Sequence, residues 1–236
     1  MPQKSYRRHW LAFAVVIVAS FAVLGYYGTE IYRTAPPYPK AFVTDGGTQV
    51  FTGDDVLKGQ AVWQSIGGQE LGSVWGHGSY VAPDWSADWL HREILYVAQR
   101  WARQNFGKAF NDLTPVERAQ IKTRLIELYR TNTYDPATDT VTLSRDRADA
   151  IDAMGRYYAA IFGHAESFDP DVQAIADGGM TPAQLRDAYA IPSDTIKDPA
   201  RQRAMNAFFF WAAWACGTQR PADDADATTH VNAATL

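Results

Sequence analysis

The stretch GQAVWQSIGGQELGSVWGHGSYVAPDWSADWLHRE, residues 59–93, decides how this chain is read. Its middle, residues 65–85, gathers five glycines, Trp75, Tyr80, Trp85 and His77 into one loop-like segment. Glycines in such numbers let a backbone take positive φ angles or approach another group closely. Tryptophan is too large and apolar to be left in water without a reason. A segment with both properties is pressed against something: this chain's own core, a cofactor or a partner.

Both sides of the loop read as helix. Upstream, Thr52 stands at an N-cap position with Asp54 and Asp55 in the first turn. The helix it opens is predicted to run to about Ile66 and to stop at Gly67-Gly68. Downstream, with Asp84 or Ser86 as cap, Leu90, Ile94, Val97 and Trp101 recur on one face of an amphipathic helix. Thr114-Pro115-Val116-Glu117 is a capping box with proline at the first helical position, and predicts a helix to about Arg130. Residues 132–144, NTYDPATDTVTLS, alternate on either side of Asp135-Pro136 and predict a short β-hairpin. Ser144 caps a helix to Phe162, closed by Gly163. Thr181-Pro182-Ala183-Gln184 repeats the capping pattern, and Pro192 breaks the chain before a last helix near Pro199. Residues 41–52 have strand and turn character around Gly46-Gly47. The fold class is mainly α: an N-terminal transmembrane helix followed by a helical domain with a small β-hairpin.

Residues 10–27, WLAFAVVIVASFAVLGYY, are uncharged and follow Lys4, Arg7, Arg8 and His9. As a helix they span about 27 Å, roughly one hydrocarbon core. The run ends in Gly25-Tyr26-Tyr27-Gly28, with bulky aromatics where a cleavage site needs small residues. Tyr26, Tyr27 and Tyr32 fit an interfacial aromatic belt. An uncleaved anchor is expected, its basic end cytoplasmic and the following domain outside; a long signal peptide is the alternative. Residues 34–39, TAPPYP, form a stiff, extended exit. Near the other end, AFFFWAAWAC, residues 207–216, is too short to span a bilayer alone. It is either a core helix or the first half of a second membrane helix. Residues 221–236 are small and polar, and read as a disordered tail.

Composition excludes several classes. A net charge of −4 without a Lys/Arg cluster on a helix face leaves no nucleic-acid footprint. Cys216 is the single cysteine. That excludes a disulfide framework, a Cys-x-x-Cys metal site and covalent c-type haem through Cys-x-x-Cys-His. No phosphate-loop or dinucleotide fingerprint follows a strand. His9, His77, His91, His164 and His230 make no metal-ligand spacing. Asp84 and Asp88 are explained by helix N-terminal charge, and Glu93 adds no paired-carboxylate centre. Residue by residue, the chain has no self-contained catalytic centre.

Residues 59–93, together with NTYDPATDTVTLS and the closing AFFFWAAWACGTQRP, resemble the N-terminal, periplasmic part of quinol-dependent nitric oxide reductases. These are single-chain members of the haem–copper oxidase superfamily. The resemblance implies a bacterial inner-membrane protein with a cytoplasmic N-terminus and a periplasmic cytochrome-c-like domain that has lost its haem. In that family a membrane bundle with b-type haems and non-haem iron follows, and reduces two NO to N₂O with electrons from quinol, in denitrification or NO detoxification. Gly59 and Trp63 match the start of the cytochrome pattern. Residues 67–71 stand where its cysteines and histidine would be, and residues 76–83 match its Gly-x-Tyr end. The resemblance makes Gly78, through its carbonyl, and Tyr80 candidate calcium ligands; simple packing of the loop on the membrane domain is the alternative. It makes Trp75, His77, Ser79, Trp85 and Trp89 interface residues. The implied domains are an anchor at 1–33, the cytochrome-like domain at 34–198, the start of a second membrane helix at 199–220, and a non-family tail at 221–236. The catalytic bundle is absent from the sequence, so the chain alone is expected to bind no haem and to be inactive, as a truncated fragment. Two other functions stay open: a non-enzymatic module docking on a separate catalytic subunit, and a binding protein using Trp63, Trp75, Trp85 and Trp89.

Overall fold

The structure, a computed structural model, describes residues 6–76 and 81–220. It divides into two compact units, Met1–Pro37 and Tyr38–Leu236, so the break falls after the proline pair rather than at residue 33.

The first unit is one helix, α1 (Arg7–Thr34). Its stretch Arg7–Arg33 has a mean hydropathy of 2.1, and its most apolar window is wholly exposed. At 1.5 Å per residue it extends about 40 Å, enough for a bilayer with its headgroups. Among the described residues it is the one helix long and apolar enough to cross a membrane.

The second unit is mainly helical. Its larger helices are α2 (Gly53–Ser65), α3 (Trp85–Phe106), α4 (Pro115–Arg130), α5 (Arg145–Phe162) and α8 (Pro199–Gly217); α6 (Pro170–Gln173) and α7 (Pro182–Ala188) are short. The predicted caps form: Thr52, Thr114 and Thr181 each close a reciprocal capping box, and Asp84 and Ser144 cap α3 and α5. Such caps contribute about 1 kcal/mol each.

The strands are β1 (Ala41–Thr44), β2 (Gln49–Thr52), β3 (Tyr134–Asp135) and β4 (Thr140–Leu143). The expected hairpin at 132–144 is half of a larger object. β1 and β4 pair in parallel, Phe42 opposite Val141, and join two hairpins into one sheet of order β2-β1-β4-β3. An isolated two-stranded hairpin is marginal in water, and pairing the two edges buries Phe42 and Val141 completely.

The core gathers around α8. Every residue from Ala204 to Trp214 is buried, in a cluster with side chains of α2, α3 and α5. Gly59 lets α2 lie directly on α8: a Cβ there would sit 2.0 Å from the Ala204 carbonyl oxygen. One expectation is corrected: of the two readings of the apolar run the core helix holds, and residues 199–220 are not the start of a second membrane helix, because Ala204 to Trp214 pack within the domain and leave no lipid-facing side. A smaller cluster, with Val97, Trp101, Ile121 and Leu125, seals α3 against α4. Residues 221–236, expected to be a disordered tail, lie outside the described residues.

Candidate functional site

The Gly/Trp loop begins where α2 ends. The Gly68 N–H donates to the Trp63 carbonyl at 3.0 Å, turning the chain back over the Trp63 indole. A Cβ at Gly68 would lie 2.3 Å from Trp63 Nε1, so any larger residue there must displace the ring. Two stems then run side by side. Ser73 and Asp84 form a parallel bridge; the Trp85 N–H donates to the Ser73 carbonyl at 2.8 Å, and Trp85 Nε1 donates to the Leu71 carbonyl at 3.0 Å.

Asp84 clasps the stems. Its Oδ2 accepts from Ser73 Oγ at 2.7 Å and from the Gly76 N–H at 2.6 Å. Its Oδ1 accepts from the N–H groups of Ser86 and Ala87 and from Ser86 Oγ. One carboxylate thus caps α3 and ties down the loop. Burial pushes the Asp84 carboxyl up, but the hydrogen bonds from Ser86, Gly76, Ser73 and Ala87 together hold it below the usual carboxylate range.

The tryptophans divide. Trp85 stacks on Phe209 (centroids 5.6 Å apart) and Trp89 on Tyr158 (5.3 Å), and both are fully buried. Their expected role as interface residues is corrected: the pull on these rings is this chain's own core. Trp75 stays 47% exposed. It has a left-handed φ of 56° and donates from Nε1 to the Ala212 carbonyl of α8 at 2.9 Å. His77, Gly78, Ser79 and Tyr80 lie outside the described residues.

Two buried ion pairs go beyond what the sequence indicates. Arg92 Nε and Nη2 donate to Asp88, Nη1 donates to the Ile175 carbonyl at 2.7 Å, and Tyr158 Oη donates to Asp88 at 2.7 Å. Burial pulls the Arg92 pKa down, but the charge and hydrogen bonds of Asp88 outweigh it and leave the pKa raised. One residue on, Glu93 accepts from Arg147 Nε at 2.9 Å and from Trp89 Nε1 at 3.0 Å. Asp88 is thus more than a helix-start charge. The signal available in the sequence is its i,i+4 spacing to Arg92 on the stripe that carries Trp85 and Trp89.

The resemblance to a cytochrome-like domain raises the question of a c-type haem, and these residues do not fit one. Cys216 is exposed on α8, and the turn at residues 67–71, collapsed onto Trp63, has no cysteine or histidine. The interior is filled by touching rings: Trp85, Trp89, Tyr158, Phe162 and Phe209. Surface hollows of about 290 and 670 Å³ lie elsewhere, beside Arg100 and Arg103 and beside His164 and Asp194. His91 is exposed, and the likewise exposed His164 pairs with Asp194 at 3.0 Å. No group of three metal-binding side chains gathers among the described residues.

Comparison with curated proteins gives no match. The family model for the NorB cytochrome c-like domain of nitric oxide reductase matches residues 39–230. The match takes in α8 and residues 221–230, part of the segment expected to lie outside the family. With a match over most of its length, the chain belongs to the NorB cytochrome c-like domain family of nitric oxide reductases.

Proposed function

We propose that this chain is the haem-free, membrane-anchored module of a quinol-dependent nitric oxide reductase. It carries no electrons itself. Its Gly/Trp loop, from Trp75 through His77 and Ser79, docks on a membrane bundle where the reaction takes place. There two NO, two protons and two electrons from a quinol give N₂O and water. The observation that carries this is the family match, together with an interior packed with aromatic rings. Arg7 and Arg8 ahead of the apolar run of α1 support a cytoplasmic N-terminus and a periplasmic domain in a bacterial inner membrane. Docking on a separately encoded catalytic subunit is the variant of the same idea.

Gly78 and Tyr80 remain the proposed calcium ligands. Asp84, four residues beyond Tyr80, is already committed to five hydrogen-bond donors. A hard cation at the tip would therefore draw its other oxygens from the bundle.

Purified chain is expected to show no haem Soret band and no NO consumption. Co-expression with a catalytic bundle is expected to give a complex that consumes NO and loses affinity on truncation of residues 76–81. A Soret band with NO turnover from this chain alone overturns the proposal.

A further inference from the structure

The larger of the two surface hollows, about 670 Å³, lies wholly within the second unit, between the C-terminal half of α5 and the N-terminal end of α8. That is within the size range of small-molecule sites. Ala159, Phe168 and Ile196 give it an apolar wall, and Phe168 is set flat against the buried Tyr157, with centroids 5.1 Å apart. The loop that carries Ile196 is held by its own backbone. The Asp194 N–H donates to the Gly163 carbonyl at 2.9 Å, the Ile196 N–H to the Phe162 carbonyl at 2.8 Å, and Gln202 Nε2 to the Ile196 carbonyl at 2.7 Å. Asp194 is kept there at a left-handed φ of 61°, a conformation that recurs at functional positions.

Charges of both signs line this hollow. Asp169 is fully engaged: Oδ1 accepts from the Val172 N–H at 3.1 Å and Oδ2 from Arg156 Nε at 3.0 Å. Arg156 Nη1 donates to Asp152, which leaves Nη2 without a partner among the described residues. Asp194 Oδ1 accepts from His164 Nδ1 at 3.0 Å, while Oδ2 has only Lys197 Nζ at 4.0 Å, beyond hydrogen-bond length. A guanidinium donor and a carboxylate oxygen are thus left open beside an apolar wall. Arg156 and Lys197 balance Asp169 and Asp194 in the lining, so a singly charged ligand leaves one open group unused and upsets the balance. A zwitterion uses both groups and preserves it. We propose that this hollow binds a small zwitterion with an apolar body, the chemistry of a hydrophobic amino acid. Its carboxylate meets Arg156 Nη2, its ammonium meets Asp194 Oδ2, and its side chain lies against Phe168 and Ile196. The site is independent of the Gly/Trp loop and of docking on a catalytic bundle.

The test titrates L-phenylalanine into the full chain in lipid nanodiscs, by isothermal calorimetry against empty nanodiscs. Saturable binding is expected. Phenethylamine and 3-phenylpropanoate keep one charge each, and are expected to bind at least about tenfold more weakly. Asn tolerates a left-handed backbone, and Arg156 makes only exposed ion pairs, so Asp194→Asn and Arg156→Gln are expected to fold as wild type does. Each is expected to weaken L-phenylalanine by about tenfold or more. Arg103→Gln, beside the smaller hollow, is expected to change nothing. Thermal melts check that each variant is folded, and the analogue series on wild type decides on its own if one is not. Absence of saturable heat overturns the proposal. So does a single-charge analogue that binds as tightly as L-phenylalanine, full affinity in either folded rim variant, or an equal loss in Arg103→Gln.

Discussion

Two helices of this chain carry its longest apolar runs, and they end in opposite surroundings. The apolar window of α1 is exposed throughout; Ala204 to Trp214 of α8 are all buried. Composition does not separate them, but length and neighbours do. The buried run of α8 spans about 16 Å, half a hydrocarbon core, whereas the apolar part of α1 matches one. α8 is also met by a glycine on α2 and by aromatic rings from α3 and α5, while α1 is the whole of its unit. An apolar helix is therefore assigned by what the rest of the sequence prepares for it.

The sharpest way to break this contrast is to remove one side chain from each helix. Phe209→Ala takes away the partner of Trp85 in a site without solvent access. It is expected to cost about 3–5 kcal/mol of unfolding free energy. Leu24→Ala on α1 is expected to change the unfolding of the second unit by less than about 0.5 kcal/mol. Denaturant melts in detergent measure both. Equal effects would mean that α8 is not the core helix.

Next comes the charge under α8. The Arg147 guanidinium lies 5.5 Å from the Phe210 ring centroid and depends on Glu93 for its counter-charge. Glu93→Gln leaves a buried cation unpaired, at roughly 3 kcal/mol. Chemical denaturation near pH 7 reads this loss, and an unchanged midpoint would mean that water reaches the pair. Gly59→Ala is expected to cost about 1–3 kcal/mol, because a Cβ 2.0 Å from the Ala204 carbonyl oxygen forces α2 away from α8. A variant as stable as wild type would show that the two helices do not touch there.

The smallest expected effect concerns pH at the loop. The folded carboxyl of Asp84 is held below its unfolded value of about 3.9. At pH values between the two, the unfolded chain binds more protons, so folding is favoured as pH rises. The contribution is complete above about pH 5 and lost as pH falls through the lower, folded pKa. Asp84→Asn keeps an acceptor for the α3 cap but presents an NH₂ group to Ser73 and Gly76. Between pH 3 and 6, the melting temperature of wild type is expected to fall more steeply than that of the variant. Parallel curves would remove Asp84 as the clasp.

Much of the helical layout is legible in the sequence because caps are local. Thr52, Thr114, Ser144 and Thr181 act within four residues, and each opens the helix its spacing predicts. The parallel pairing of β1 with β4 is not legible, since neither strand's pattern names a partner about 100 residues away. The loop is recognisable as a packed segment from its glycines and tryptophans. Which tryptophans face inward is not. Trp85 and Trp89 begin a helix whose buried stripe is set by α5 and α8, while Trp75 is turned outward by one positive φ. The Arg92 and Arg147 pairs stay hidden because charges on a helix read as solvated until the opposing surface is known.

The late place of α8 in the chain has a consequence for the order of events during synthesis. α2 is complete at Ser65, but the helix it lies on is not finished until Gly217. The interval is about 150 residues, on the order of 10–30 s at ordinary rates of translation. For that time the inner faces of α2, α3 and α5 have no central helix to cover them. The domain therefore closes as one late event rather than helix by helix. A nascent chain stopped before Pro199 would carry every cap and both hairpins, yet have nothing for them to close around.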